Sequence, residues 1–232
     1  MGNFWARYKR NHAAVFGLFV IVLIIVMAIT ASFLYPEDPF RLVGKPLSKP
    51  LTNGFLLGSD SLGRDVASGI VHGAKTSLLI GFVATLVSVF IGIFFGAFAG
   101  YFGGIIDDIL MRVTEIFQTI PSFIFAILLV AIMKPSMGSI VIAIAVVSWP
   151  GVARLVRGEF LAVKNREFVQ ACHTLGMSDL RIMLWEILPN CLSPIIVVGS
   201  LMVATAILIE SGLAFLGLGD PNIMSWGFLI GA

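Results

Sequence analysis

Gly69 to Ser77, GIVHGAKTS, falls one residue short of a phosphate-cradling loop. In the pattern G-x-x-x-x-G-K-[ST], glycines let backbone N–H groups wrap a phosphate while the lysine reaches its outer oxygens. Here Ala74 stands where the second glycine must be. The stretch has no buried strand before it and leads straight into a long apolar run. A nucleotide site is therefore not expected in it.

The remaining reactive groups are sparse. Cys172 and Cys191 make no CxxC pair, and His12, His72 and His173 share no ligand spacing. Neither a metal centre nor a disulfide framework is expected, and no cofactor. Asp60, Arg64 and Asp65 lie close together in LGSDSLGRDVASG. They read as turn and cap residues, roles that Asp takes routinely, or as contacts to another protein. Arg64 and Asp65 suit a local pair or an intersubunit one. Glu210 follows the apolar run Leu192–Ile209. An acid at mid-membrane costs on the order of 3 kcal/mol, so it must face protein or water. It either lines a path and meets an amine or cation, or is a buried pair or cap near a helix end. The apolar runs hold too few ionisable groups for a membrane enzyme. They also lack the repeats and coupling charges of a secondary transporter.

These groups sit in a chain that is 58% hydrophobic and 12% charged. Soluble domains carry about 25% charged residues, so the chain is an integral membrane protein, and its long apolar runs read as an all-α polytopic one. A net charge of +2 is too small to suggest nucleic acid; the lipid bilayer is the surrounding phase. Arg7, Lys9 and Arg10 precede the charge-free run Ala13–Tyr35. That run is too long for a signal-peptide core and long enough to span. Further runs follow at Ser77–Tyr101, Ser122–Met133, Ile140–Ala153 and Cys191–Leu218. Five spans are expected. Basic residues favour the cytoplasmic side, which puts the N-terminus and the stretch 154–190 inside and the polar stretch 36–76 outside. Residues 1–35 form the N-terminus and first span, and 77–232 the core. Gly92, Gly96 and Gly100 share one helix face and let another helix approach closely. Asp108, Met111, Arg112 and Glu115 are spaced to share one helix, and Pro121 kinks it.

Arg166–Asn190, REFVQACHTLGMSDLRIMLWEILPN, is the one surface-like stretch between two apolar runs. Phe168, Ala171, Cys172 and Leu175 fall at i, i+3, i+4 and i+7, an apolar stripe. Gly176 sits where a helix end wants a left-handed residue. Ser178 is placed to cap a second helix with Leu180, Met183, Leu184, Ile187 and Leu188 on one face, ending before Pro189. By pattern alone the pair also fits an amphipathic hairpin lying on lipid headgroups.

QACHTLG followed by EILP resembles the EAA loop of binding-protein-dependent ABC importer permeases. That consensus runs EAA, three residues, Gly, nine residues, Ile, one residue, Leu-Pro. Gln170, Ala171 and Cys172 stand at the EAA position, Gly176 at the glycine, and Leu188 and Pro189 at the final pair. Gln170, Cys172 and Glu186 depart from it, and Glu167 is placed to supply the missing carboxylate. LLGSDSLGRDVASGIVHGAKTSL, AGYFGGIIDDILMR and ESGLAFLGLGDP resemble segments of the dipeptide, oligopeptide and nickel permeases, specifically the second, short-N-terminus subunit. The resemblance implies a type I ABC importer transmembrane domain in the bacterial inner membrane. It implies a heterodimer with a paralogous permease subunit, two ABC ATPase subunits that hydrolyse the ATP, and a soluble substrate-binding protein outside. Residues Glu167, Gln170, Ala171, Cys172, Gly176, Leu188 and Pro189 would couple to the ATPase. Cargo would be di- or oligopeptides, with nickel or a metal chelate as the alternative. Family members also continue past the MSWG segment, so a sixth span of about 20 residues is expected beyond Ala232.

Overall fold

The computed structural model describes residues 8–52 and 54–232. Its helices are α1 His12–Leu34, α2 Val66–Phe102, α3 Gly104–Thr119, α4 Ser122–Met133, α5 Met137–Val163, α6 Glu167–Thr174, α7 Asp179–Leu218 and α8 Trp226–Gly231. Among the described residues no strand forms; Thr52 with Phe55 and Ser59 with Asp65 make isolated bridges. Helices α1, α2, α5 and α7 are each long and apolar enough to cross a membrane, and α3 with α4 makes a further span if the bent pair counts as one. Basic Arg7 lies outside the described residues.

The chain divides into two compact units, Met1–Leu78 with Pro221–Ala232, and Leu79–Asp220. In the first, Asn11 caps α1 by accepting from Ala14 N–H at 3.2 Å. Helix α2 starts at Val66 rather than near Ser77, so GIVHGAKTS is helix and not a loop. The reason is a cap: Asp65 Oδ1 accepts from Ala67 N–H at 2.9 Å, as Asp does at helix starts. His72 Nε2 lies 2.9 Å from the Tyr35 carbonyl, tying α2 to the end of α1. Trp226 braces the same unit: its backbone N–H donates to Ser77 Oγ at 3.1 Å, and its Nε1–H donates to the Ile70 carbonyl at 3.0 Å.

In the second unit α2, α5 and α7 form the frame. The glycine face of α2 meets α5. A Cβ on Gly92 would lie 2.6 Å from Val152 Cγ1, and one on Gly100 would lie 2.6 Å from Phe160 Cβ. Only glycine permits that approach. One core gathers Val152, Val156, Phe160, Val163, Val169, Ile182 and Ile187. A second gathers Ile80, Ala84, Val130, Ile140, Ile144 and Leu213.

Three further places depart from the sequence expectation. Helix α5 runs over 27 residues rather than Ile140–Ala153. Ser136 and Ser139 start it with a reciprocal capping box, bonds of 3.1 and 3.0 Å, and Pro150 is carried inside. Pro121 breaks the chain between α3 and α4 by 82° rather than kinking one helix. Ile120, the residue before it, is extended (φ −92°, ψ 132°), as the proline ring requires. Helix α7 does not stop at Pro189. It runs 40 residues, from Asp179 through both Pro189 and Pro194. A wide turn over Ile182–Ile187 makes room, with Leu188 N–H donating to the Met183 carbonyl five residues back. Pro189 has no N–H to place, and Asn190 Nδ2 takes the Glu186 carbonyl at 2.6 Å.

Candidate functional site

The helix–turn–helix forms as expected around Gly176, which has φ +72°. Gly176 N–H donates to the His173 carbonyl at 3.0 Å and Met177 N–H to the Cys172 carbonyl at 3.1 Å. These two bonds close a Schellman end on α6, and the left-handed residue they need is the glycine. Ser178 does not cap α7 with its side chain; its hydroxyl is exposed.

The buried side of α6 is not the expected stripe. Val169 is fully buried, with Phe168 and Cys172 partly covered beside it. Ala171 is exposed and Leu175 is 80% exposed. A helix of eight residues needs only one or two side chains to hold it down, so its core residue was not legible from a four-position stripe. Glu167, Gln170, Ala171 and Gly176 are all exposed. Gln170 Nε2 donates to the Asn165 carbonyl at 3.3 Å and Thr174 Oγ1 to the Gln170 carbonyl at 3.0 Å.

The first turns of α7 depart from their expected face in the same way. Ile182, Met183 and Ile187 are buried, while Leu180 and Leu184 are exposed. The wide turn shifts the register, so spacings of three and four no longer track one face. Leu188 is half-buried and Pro189 exposed. Trp185, at 74% exposure, stands outside with them.

Two polar contacts that hold this region were missed from sequence. Arg157 of α5 grips Asp107 of α3 through two bonds, Nε to Oδ1 at 2.5 Å and Nη2 to Oδ2 at 2.6 Å. Asp108, Arg112, Glu115 and Arg154 surround that pair in a cleft of about 410 Å³. Arg112 reaches Glu115 at 3.6 Å, exposed, one of the pairings that the α3 spacing implied. Tyr101 of α2 donates its hydroxyl to Asp179 at 2.6 Å and stacks on His173.

The other sequence candidates lie apart from this loop. Glu210 is 1% exposed within its own chain, and Ser211 Oγ lies 3.5 Å from its carboxylate. Arg64 pairs with Asp60, Nε to Oδ2 at 2.8 Å, and not with Asp65. Its guanidinium lies against the rings of Phe40 and Phe228, 5.9 and 5.2 Å from their centres. Asp60 Oδ1 also accepts from the N–H groups of Leu62 and Arg64. Asp60 and Arg64 thus brace the polar segment from within, because both side chains are about nine-tenths covered, and they offer little surface to another protein.

Comparison with known proteins agrees with this architecture. Residues 92–227 match the family of binding-protein-dependent transport system inner membrane components. Residues 1–49 match the N-terminal transmembrane domain of oligopeptide transport permease C. The dipeptide transport system permease protein DppC of Bacillus subtilis (strain 168) is 41% identical over 97% of this chain and 71% of its own length. The oligopeptide transport system permease protein OppC of the same organism is 38% identical over 95% of this chain and 73% of its own. An inward-facing structure of the MetNI methionine ABC transporter has the same fold, with TM-score 0.58 and 18% identity over 66% of this chain and 77% of that one. With its several apolar helices, the chain is a multi-pass transport permease subunit rather than an enzyme, and it belongs to the binding-protein-dependent transport system inner membrane component family.

Proposed function

We propose that this chain forms half of the translocation pathway of an ABC importer for di- or oligopeptides. Its partners are a paralogous permease subunit, two ATPase subunits on the cytoplasmic side and a soluble binding protein outside. The N-terminus and residues 154–190 face the cytoplasm, and the polar segment that starts at Pro36 faces outward. The helix–turn–helix is the coupling element. Motion of the ATPases is transmitted through it as a coupling free energy between two sites.

The carrying observation is the way α6 is mounted. Val169 fixes it to the core from beneath, and the rigid turn at Gly176 sets its end. Glu167, Gln170 and Ala171 are left outward for a docking partner. The relatives' names, for dipeptide and oligopeptide transport, support a peptide cargo.

The test is Gly176→Val in the complete complex reconstituted in vesicles. A side chain at φ +72° strains the backbone by about 1–2 kcal/mol, and a β-branched one relieves it by moving the turn. No atom lies within 4 Å of the site, so the core itself is not crowded. The expected result is a folded subunit with ATP-driven dipeptide uptake abolished. Normal ATPase binding and normal uptake would exclude the coupling role. Uptake that follows a proton or sodium gradient and ignores ATP depletion would exclude the importer reading altogether.

A further inference from the structure

We propose that Tyr101 is the positioning residue that sets the angle of the helix–turn–helix, so that the ratio of cargo moved to ATP hydrolysed depends on its hydroxyl. This rests on the coupling reading of that loop.

Three parts of the loop converge on this one side chain and its carbonyl. Lys164, before α6, directs Nζ to the Tyr101 carbonyl at 3.4 Å. His173, within α6, lays its ring along the tyrosine ring, with centroids 6.3 Å apart and planes 25° from parallel. Asp179, the first residue of α7, accepts the phenol proton at 2.6 Å. Tyr101 itself occupies the last turn of α2, just before Gly103 reverses the chain with φ +67°.

The chemistry of these contacts differs from that of the apolar anchors. Val169, Ile182 and Ile187 hold the loop by burial, which is non-directional and tolerates rotation. A hydroxyl donating to a carboxylate is short, charge-assisted and directional. The Tyr101–Asp179 bond is therefore the contact that distinguishes one orientation of the loop from its neighbours. It also passes load to a stiff element. One and five residues before Tyr101, Gly100 and Gly96 lie so close to α5 that an added Cβ would meet the Arg157 and Ala153 carbonyl oxygens. A push on α6 thus enters α2 and α5 together.

The experiment compares Tyr101→Phe, Asp179→Ala, Asp179→Asn and the double variant Tyr101→Phe/Asp179→Ala with Gly176→Val. Each is measured in the complete complex in vesicles, with a radiolabelled dipeptide that the unmodified complex takes up. Tyr101→Phe keeps the ring and its stack on His173 and removes only the donor. Asp179→Asn keeps an oxygen that accepts. The expected result is assembled complex in normal yield and basal ATP hydrolysis within about twofold. Cargo per ATP should fall at least about threefold in Tyr101→Phe and in Asp179→Ala, with the double variant no worse than either. Asp179→Asn should restore most of the ratio.

An unchanged ratio in Tyr101→Phe and Asp179→Ala, beside a transport-dead Gly176→Val, would overturn the positioning role and leave the coupling loop standing. A Gly176→Val that transports normally would remove the loop reading and this proposal with it. Loss of assembled complex in Tyr101→Phe, with cargo per ATP unchanged in what remains, would make the bond merely structural and also overturn the proposal.

Discussion

Arg157 and Asp107 are fifty residues apart in sequence, yet they face each other as a two-bond fork, 2.5 and 2.6 Å long, between α5 and α3. The Asp107 side chain is 12% exposed and that of Arg157 35%. Removing Arg157 leaves a nearly buried carboxylate without its fork. Bonds to charged groups contribute about 1.5–3 kcal/mol when well buried, and partial exposure of the arginine lowers that to about 1–2 kcal/mol. Arg157→Ala should therefore lower the Tm of the purified complex by several degrees, and Arg157→Ala/Asp107→Ala should recover part of the fall. An unchanged Tm in the single variant would show that the fork does not hold α3.

The α2 glycines give a sharper contrast. A Cβ on Gly96 would collide with the Ala153 carbonyl oxygen and lie 2.7 Å from Val156 Cβ. Both are backbone or near-backbone atoms and cannot step aside. Gly96→Ala should cost about 1–3 kcal/mol, the usual range for overpacking. Gly96→Ile should prevent accumulation of protease-resistant protein. Gly199 is the control: a Cβ there would meet only Val89 Cγ2, at an ordinary 3.6 Å, and Gly199→Ala should be silent. Equal yields from Gly96→Ile and Gly199→Ala would mean that α2 and α5 are not pressed together.

Glu210 is enclosed by its own chain, which favours a structural role over a position on the substrate path. Glu210→Gln keeps the shape and removes the charge. The expected outcome is a less heat-stable complex that moves cargo normally per assembled complex at low temperature. Full heat stability with a large fall in transport would put the carboxylate on the path instead.

How much of this was legible in the sequence depends on the range of each interaction. Local signals were reliable. The left-handed turn at Gly176 forms where the glycine marked it, and the chain bends where the Pro121 ring marked it, though as an 82° break rather than a kink. The glycine row 92, 96 and 100 also announced a close helix contact, though not that α5 is the helix. Contacts between distant residues were illegible. Nothing near Asp107 names Arg157, and nothing near Tyr101 names Asp179. Proline was misleading at Pro189, because its usual effect as a boundary assumes an α-turn before it, and the turn there is wider. The inward stripe of α6 failed for a simpler reason: Val169 is the one residue of α6 that is fully buried.

That wide turn over Ile182–Ile187 has a further consequence for how the chain tolerates change in length. A single wide turn holds one residue more than the α-helical path around it. Each residue of an α-helix advances the rotation by about 100°. Deleting one residue between Ile182 and Ile187 would let the segment relax to ordinary helix. Because the surplus residue leaves with the wide turn, everything before it, α6 included, would keep close to its direction about the axis of α7. The same deletion in the ordinary helix that follows Ile187, with no surplus to absorb it, would turn α6 by roughly that angle. The turn is thus a place where one residue can be lost without redirecting α6 relative to the span that follows.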